Sequence, residues 1–200
     1  MTSGAPGPVA EPPPPPPPPA SLYNIANLLT MVRILLVPLF VWLLLKDTTA
    51  WRLAAFAVFA VASVTDKIDG DLARKRNLVT DFGKIADPIA DKALTGAALI
   101  ALSVLGQLWW WVTIAILVRE IGITLLRFVV IRYGVIPASK GGKLKTTLQI
   151  LAIGLYILPL PGFVQPVAWA AMAAALIVTV VTGVDYLFQA WRLRRSALGR

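Results

Sequence analysis

Beyond residue 27 the chain is a succession of six apolar stretches, at residues 28–45, 51–64, 89–105, 109–131, 148–160 and 164–184. A helix needs about 20 largely apolar residues to cross the hydrocarbon of a bilayer. The second and third stretches reach that length only if their helices continue through the polar residues 65–76 and 81–88. Charged residues make up 14% of the chain and hydrophobic residues 58%, whereas soluble domains usually carry about a quarter charged residues. The expected fold is therefore all-α and membrane-embedded: a bundle of six transmembrane helices preceded by a short juxtamembrane segment. No repeat of 20–50 residues points to a solenoid.

Composition also narrows the chemistry. The chain has no cysteine and no histidine. That removes thiol nucleophiles, Cys-ligated metal sites and the commonest general base. Ten of the sixteen prolines lie in residues 1–20, which read as a disordered, extended Pro-rich tail or, alternatively, an SH3-type ligand. This segment lacks the basic start and apolar core of a signal peptide. Residues 21–190 are expected to form one membrane domain and residues 191–200 a basic cytoplasmic tail. The connections at 65–88 and 132–145 hold most of the loop lysines and arginines, so the positive-inside rule puts both termini and these two loops in the cytoplasm. Trp109, Trp110 and Trp111 begin the fourth stretch on the other side, where an interfacial aromatic belt explains them.

Six of the ten acidic residues fall between Asp66 and Asp91. Asp66 and Asp69 are three apart, and Asp87 and Asp91 four apart, so each pair shares a helix face. Four carboxylates brought together by two neighbouring helices cannot all ionise without cations between them. Lysines and arginines could neutralise them, or two oxygen-preferring divalent ions, Mg²⁺, Mn²⁺ or Ca²⁺, could do so. Gly70, Ala73 and Gly83 would let a phosphate or a neighbouring helix approach closely. Arg74, eight residues beyond Asp66, could hold a phosphate or ribose oxygen.

Together these residues form the string Asp66-x2-Asp69-Gly70-x2-Ala73-Arg74-x8-Gly83-x3-Asp87-x3-Asp91, which resembles the signature of the CDP-alcohol phosphotransferases. Eight fixed positions make a chance match on the order of one in 10¹⁰ per start position. The likeness extends over about residues 24–190. Asn24-Ile25-Ala26-Asn27-Leu28-Leu29-Thr30-x2-Arg33 is similar to the opening of family members whose acceptor is glycerol 3-phosphate, with Ala26 where those have proline. Asp87-Pro88-x2-Asp91-Lys92, Arg119-Glu120 and Ala138-Ser139-Lys140-x2-Lys143-x-Lys145-Thr146 are similar to the same members. Lys67 and Asp71 stand where many relatives have Trp and Tyr, outside the signature positions.

The resemblance implies transfer of a phosphatidyl group from CDP-diacylglycerol to glycerol 3-phosphate, with release of CMP. It implies that Asp66, Asp69, Asp87 and Asp91 hold two divalent cations, Mg²⁺ or Mn²⁺, and that Asp91 is the general base. Gly70, Ala73, Arg74 and Gly83 would accommodate the cytidine nucleotide. Arg119, Arg127 and Lys140 are candidates for the acceptor phosphate, although Arg119 could instead pair with Glu120 or a signature aspartate. Lys143 and Lys145 read equally as topology or headgroup residues. A multi-pass protein of a bacterial cell membrane, with its site on the cytoplasmic side and a homodimeric assembly, completes the expectation. Same-family alternatives are a phosphatidylinositol-phosphate synthase or a cardiolipin synthase. From a different class, a cation transporter would place its acids nearer the bilayer midplane, among broken helices. A nucleic-acid partner is disfavoured because the basic residues are scattered among membrane loops.

Overall fold

The computed structural model describes residues 25–75, 81–130 and 140–198. Among them are six α-helices and no strand: α1 Ile25–Leu45, α2 Thr49–Lys75, α3 Asp81–Val104, α4 Trp110–Val130, α5 Lys140–Ile157 and α6 Gln165–Leu198. A short 3₁₀ turn, Gly162–Val164, leads into α6. The Pro-rich segment, the expected juxtamembrane segment and the linkers at 76–80 and 131–139 lie outside the described residues.

The polar residues 65–75 and 81–88 are helical, as the second and third stretches require. α5 begins at Lys140, eight residues before its apolar run, and stops at Ile157 because Pro159 and Pro161 follow. α6 carries on through Arg192, Arg194 and Arg195. Its 34 residues span roughly 51 Å at 1.5 Å per residue, so the basic end extends beyond a hydrocarbon layer of about 30 Å.

Six spans are expected, and among the described residues three segments are long and apolar enough to cross a membrane outright: Leu28–Leu45, Thr49–Asp66 and Gly162–Arg195. The other helices carry charge inside their apolar runs. The apolar part of α3 is reduced to Lys92–Val104, α4 holds Arg119, Glu120 and Arg127, and α5 is only 18 residues long and begins with three lysines in its first six positions.

α1 sits between α2 and α3 and packs extensively on both, whereas α2 and α3 touch each other lightly. α5 packs on α6, and α4 on α6 and α3. The core comes from every layer: Phe40 and Leu44 of α1, Phe59 of α2, Leu99 and Leu102 of α3, Ile116 of α4, and Ile153 and Ile157 of α5 are fully buried. The Phe40 and Phe59 rings meet at 5.7 Å. Alanines at 55, 62, 98, 152, 168 and 175 fill the remaining contact positions, as close helix packing in lipid favours. The outside is equally apolar. Leu35, Ile114, Phe128, Leu151, Ile177 and Val181 are all exposed, far more apolar surface than a soluble monomer presents.

One end of the bundle is closed by polar contacts. Gly106, at φ 70°, ends α3; its N–H reaches Ser103 O, and Gln107 N–H reaches Leu102 O, a Schellman cap that needs the left-handed residue. Arg52, at the start of α2, donates to the carbonyls of Tyr156 at 2.6 Å and Ile157 at 3.0 Å, to Gln107 Oε1 at 2.8 Å and to Asp47 Oδ1 at 3.2 Å. Two carbonyls of the last turn of α5, which have no partner within the helix, are thereby satisfied by a cation at the negative end of the helix dipole. Trp42 and Trp51 lie edge to face at 5.4 Å near this end, and Trp109 and Trp111 stack at 6.3 Å.

Candidate functional site at the opposite end

The expected metal ligands lie at the other end of α2 and α3. Asp66, Asp69, Gly70, Ala73 and Arg74 occupy the last three turns of α2, and Gly83, Asp87 and Asp91 the first half of α3. Their helical backbones preserve the three- and four-residue spacings, so each acidic pair shares a helix face. Of these side chains only that of Asp66 is described. Those of Asp69, Gly70, Ala73, Arg74, Gly83, Asp87, Asp91 and Lys140 lie outside the described residues, as does Asn24.

Arg33 of α1 places its Nη1 2.6 Å from Asp66 Oδ1. The arginine side chain is 3% exposed and the aspartate 37%. Thr30, one turn earlier on the same face of α1, is also buried. An intramembrane arginine needs a partner, and α1 supplies it to the helix pair that carries the acids. The opening motif contains Arg33, yet its spacing alone gave it no task. The signal that marks it is a lone charge inside the apolar stretch 28–45.

A second polar cluster joins α4, α5 and α6. Arg119 Nε donates to Thr179 O at 3.0 Å, its Nη2 to Thr182 Oγ1 at 2.8 Å and its Nη1 to Glu120 Oε1 at 3.1 Å. A Cβ at Gly183 would stand 3.1 Å from Arg119 Cγ and 3.2 Å from its Nε, so the glycine makes room for the guanidinium stem. Arg119 therefore ties α4 to α6 and pairs with Glu120, the alternative that its sequence neighbour suggested. Lys145 of α5 bonds the same Glu120 carboxylate and is buried, which a headgroup or topology residue would not be. Arg127 lies over the Tyr186 ring of α6 at 5.8 Å. Arg119 and Arg127 share a face of α4, as their spacing of eight requires, and that face is turned to α6.

Long apolar helices, broad exposed apolar surfaces and the Arg119–Glu120–Lys145 cluster packed between helices define an integral membrane protein of helical class. The chain belongs to the CDP-alcohol phosphatidyltransferase family, whose pattern it matches over residues 23–181. It is 53% identical over 176 residues to a Mycobacterium tuberculosis (strain ATCC 25618 / H37Rv) protein named "Probable phosphatidylglycerophosphate synthase", covering 86% of this chain and 84% of that one. It is 37% identical over 192 residues to the CDP-diacylglycerol–glycerol-3-phosphate 3-phosphatidyltransferase of Bacillus subtilis (strain 168), covering 88% of this chain and 100% of the relative. The enzyme of the same name from Rickettsia typhi (strain ATCC VR-144 / Wilmington) is 36% identical over 168 residues, 82% of this chain and 94% of its own length.

Proposed function

We propose that the protein transfers a phosphatidyl group from CDP-diacylglycerol to glycerol 3-phosphate, giving phosphatidylglycerophosphate and CMP. The observation that carries this reading is the 53% identity across 86% of the chain to a relative bearing the synthase name. Relatives at 36–37% identity carry the corresponding transferase name. The family signature on α2 and α3 supports the same chemistry.

The donor set suits hard divalent cations: it offers carboxylate oxygens and neither sulfur nor imidazole. Asp66 fits such a site by its chemistry, a partly exposed carboxylate at the acidic end of α2 beside the Arg33 guanidinium. Two divalent cations, Mg²⁺ or Mn²⁺, held by Asp66, Asp69, Asp87 and Asp91, when bound supply positive charge to the phosphoryl oxygens and the departing phosphate. The acceptor hydroxyl attacks the β-phosphorus of CDP-diacylglycerol, forming the new P–O bond as the bond to CMP breaks. Asp91 accepts the hydroxyl proton. Gly70, Ala73 and Gly83 leave room for the cytidine nucleotide, and Arg74 pairs with one of its oxygens. Arg127 and Lys140 draw the acceptor phosphate toward α4 and α5; Arg119, already held by α6 and Glu120, fixes the wall against which it rests.

All six helices cross the membrane in this reading. α5, the shortest at 18 residues, still covers roughly 27 Å. Both termini and the acidic ends of α2 and α3 then face the cytoplasm of a bacterial cell, where CMP leaves and glycerol 3-phosphate enters. The membrane domain covers residues 21–190 and acts as a homodimer.

The test is CMP release by purified protein supplied with CDP-diacylglycerol and Mg²⁺ and a panel of acceptors. Glycerol 3-phosphate is expected to support turnover, and inositol 1-phosphate, inositol, serine and phosphatidylglycerol to support little. Clear preference for another acceptor on that panel rejects the assignment.

A further inference from the structure

A cavity of about 600 Å³ opens between α3, α4 and α5, within the range of about 300–1,000 Å³ usual for ligand sites. Of its α3 residues, Ile89 and Ala93 are each turned about 200° around the helix from position 91, whereas Thr95, four residues on, borders that position's face. The cavity is also graded along its length. Glu120 of α4, Lys145 of α5 and Lys92 of α3 line its middle, between Leu99 of α3 and Ile116 of α4 on one side and Ile89 of α3 and Phe128 of α4 on the other.

The polar part carries an excess of positive charge, since Lys92 and Lys145 line it against the single carboxylate of Glu120. One turn deeper on α5, about 6 Å along the axis, stands Gln149. It is 3% exposed, and its Nε2 is buried with no hydrogen-bond partner. A buried donor left unpaired is costly, and Gln149 is one of the residues lining the cavity. Ile89, Ile121 and Phe128, which also line the cavity, are all exposed.

We propose that this cavity binds an anionic glycerophospholipid of the surrounding bilayer, separate from the substrate bound at the aspartates. Its phosphate rests beside Lys92, an ester carbonyl accepts the Gln149 Nε2 proton, and one acyl chain runs between Leu99, Ile116 and Ile150. The order cation, amide donor, apolar wall along the cavity is the order phosphate, ester, chain along the lipid. The inference stands on this cavity alone and does not need the transfer reaction.

The experiment uses the purified full-length chain in detergent with phosphatidylglycerol bearing a photoreactive diazirine on one acyl chain, the labelled peptides being mapped by mass spectrometry. Labels are expected on the α3, α4 and α5 segments around Leu99, Ile116 and Ile150. Ala93→Phe, which fills the cavity, should cut labelling about fivefold, and Gln149→Leu, which keeps the volume but removes the donor, about threefold. Chelator and excess CDP-diacylglycerol should leave labelling unchanged, and a phosphatidylcholine probe should label less. Labels elsewhere, or labelling untouched by Gln149→Leu, overturn the proposal even if Ala93→Phe fails to fold. Displacement by CDP-diacylglycerol overturns it too, by making the cavity the substrate's own chain site. Equal labelling by phosphatidylcholine removes the anionic selectivity and overturns it as stated.

Discussion

Two arginines at opposite ends of the bundle, Arg33 buried and Arg52 partly buried, do different work. Arg52 meets two backbone carbonyls, an amide oxygen and an aspartate, and ties the start of α2 to the last turn of α5 and the turn after α3. Its main partners are fixed by the backbone, so it can do little but hold. Arg33 meets the partly exposed carboxylate of Asp66, one of the signature acids. The contrast separates a clamp whose partners are mostly backbone from an ion pair set at the acidic signature, where the proposed cations would bind.

The largest effect is expected at the acidic end. Asp91→Asn keeps size and shape but cannot accept a proton, and should lower turnover by about 10²–10⁴. CMP release, read beside a thermal melt in detergent, checks it; near-normal turnover in a folded variant removes Asp91 from the chemistry. Next comes Glu120→Gln, which leaves buried Lys145 and Arg119 facing each other without their shared carboxylate. Removing one partner of a buried pair costs about 3–5 kcal/mol. A double-mutant cycle with Lys145→Met should show partial recovery, and strict additivity would mean the pair is not coupled.

Arg52→Met should destabilise by about 2–3 kcal/mol, since bonds from a charged donor to several acceptors are lost. The loss should be the same with and without Mg²⁺, whereas Arg33→Met should change how strongly Mg²⁺ raises the melting temperature. If both variants respond to Mg²⁺ alike, the two arginines do not differ as described. The smallest effect is Gly183→Ala. Its methyl group would press on the Arg119 stem, a long flexible side chain, at a cost of about 1 kcal/mol.

Much of this was legible in the sequence, and where it was not, the reason is physical. The helical extension of the second and third stretches through polar residues follows from the length a span needs, and α2 and α3 have it. The start of α5 was hidden because Gly141, Gly142, Lys143 and Lys145 read as loop, although Lys145 turns inward to Glu120. Arg119 was visible as an intramembrane charge, but its partners Thr179 and Thr182 lie 60 and 63 residues away, a distance no local pattern reports. Gln149 gave no signal at all: an amide in an apolar run becomes informative only once the neighbours that fail to bond it are known.

The central claim, that the acidic ends of α2 and α3 form a divalent-cation site, is tested most directly by titrating Mn²⁺ into the purified protein and following free Mn²⁺ by electron paramagnetic resonance. The account predicts saturable binding that is lost when Asp66, Asp69, Asp87 and Asp91 are all changed to Asn, and retained in Arg52→Lys. Unaltered Mn²⁺ binding in the folded four-fold variant would contradict it.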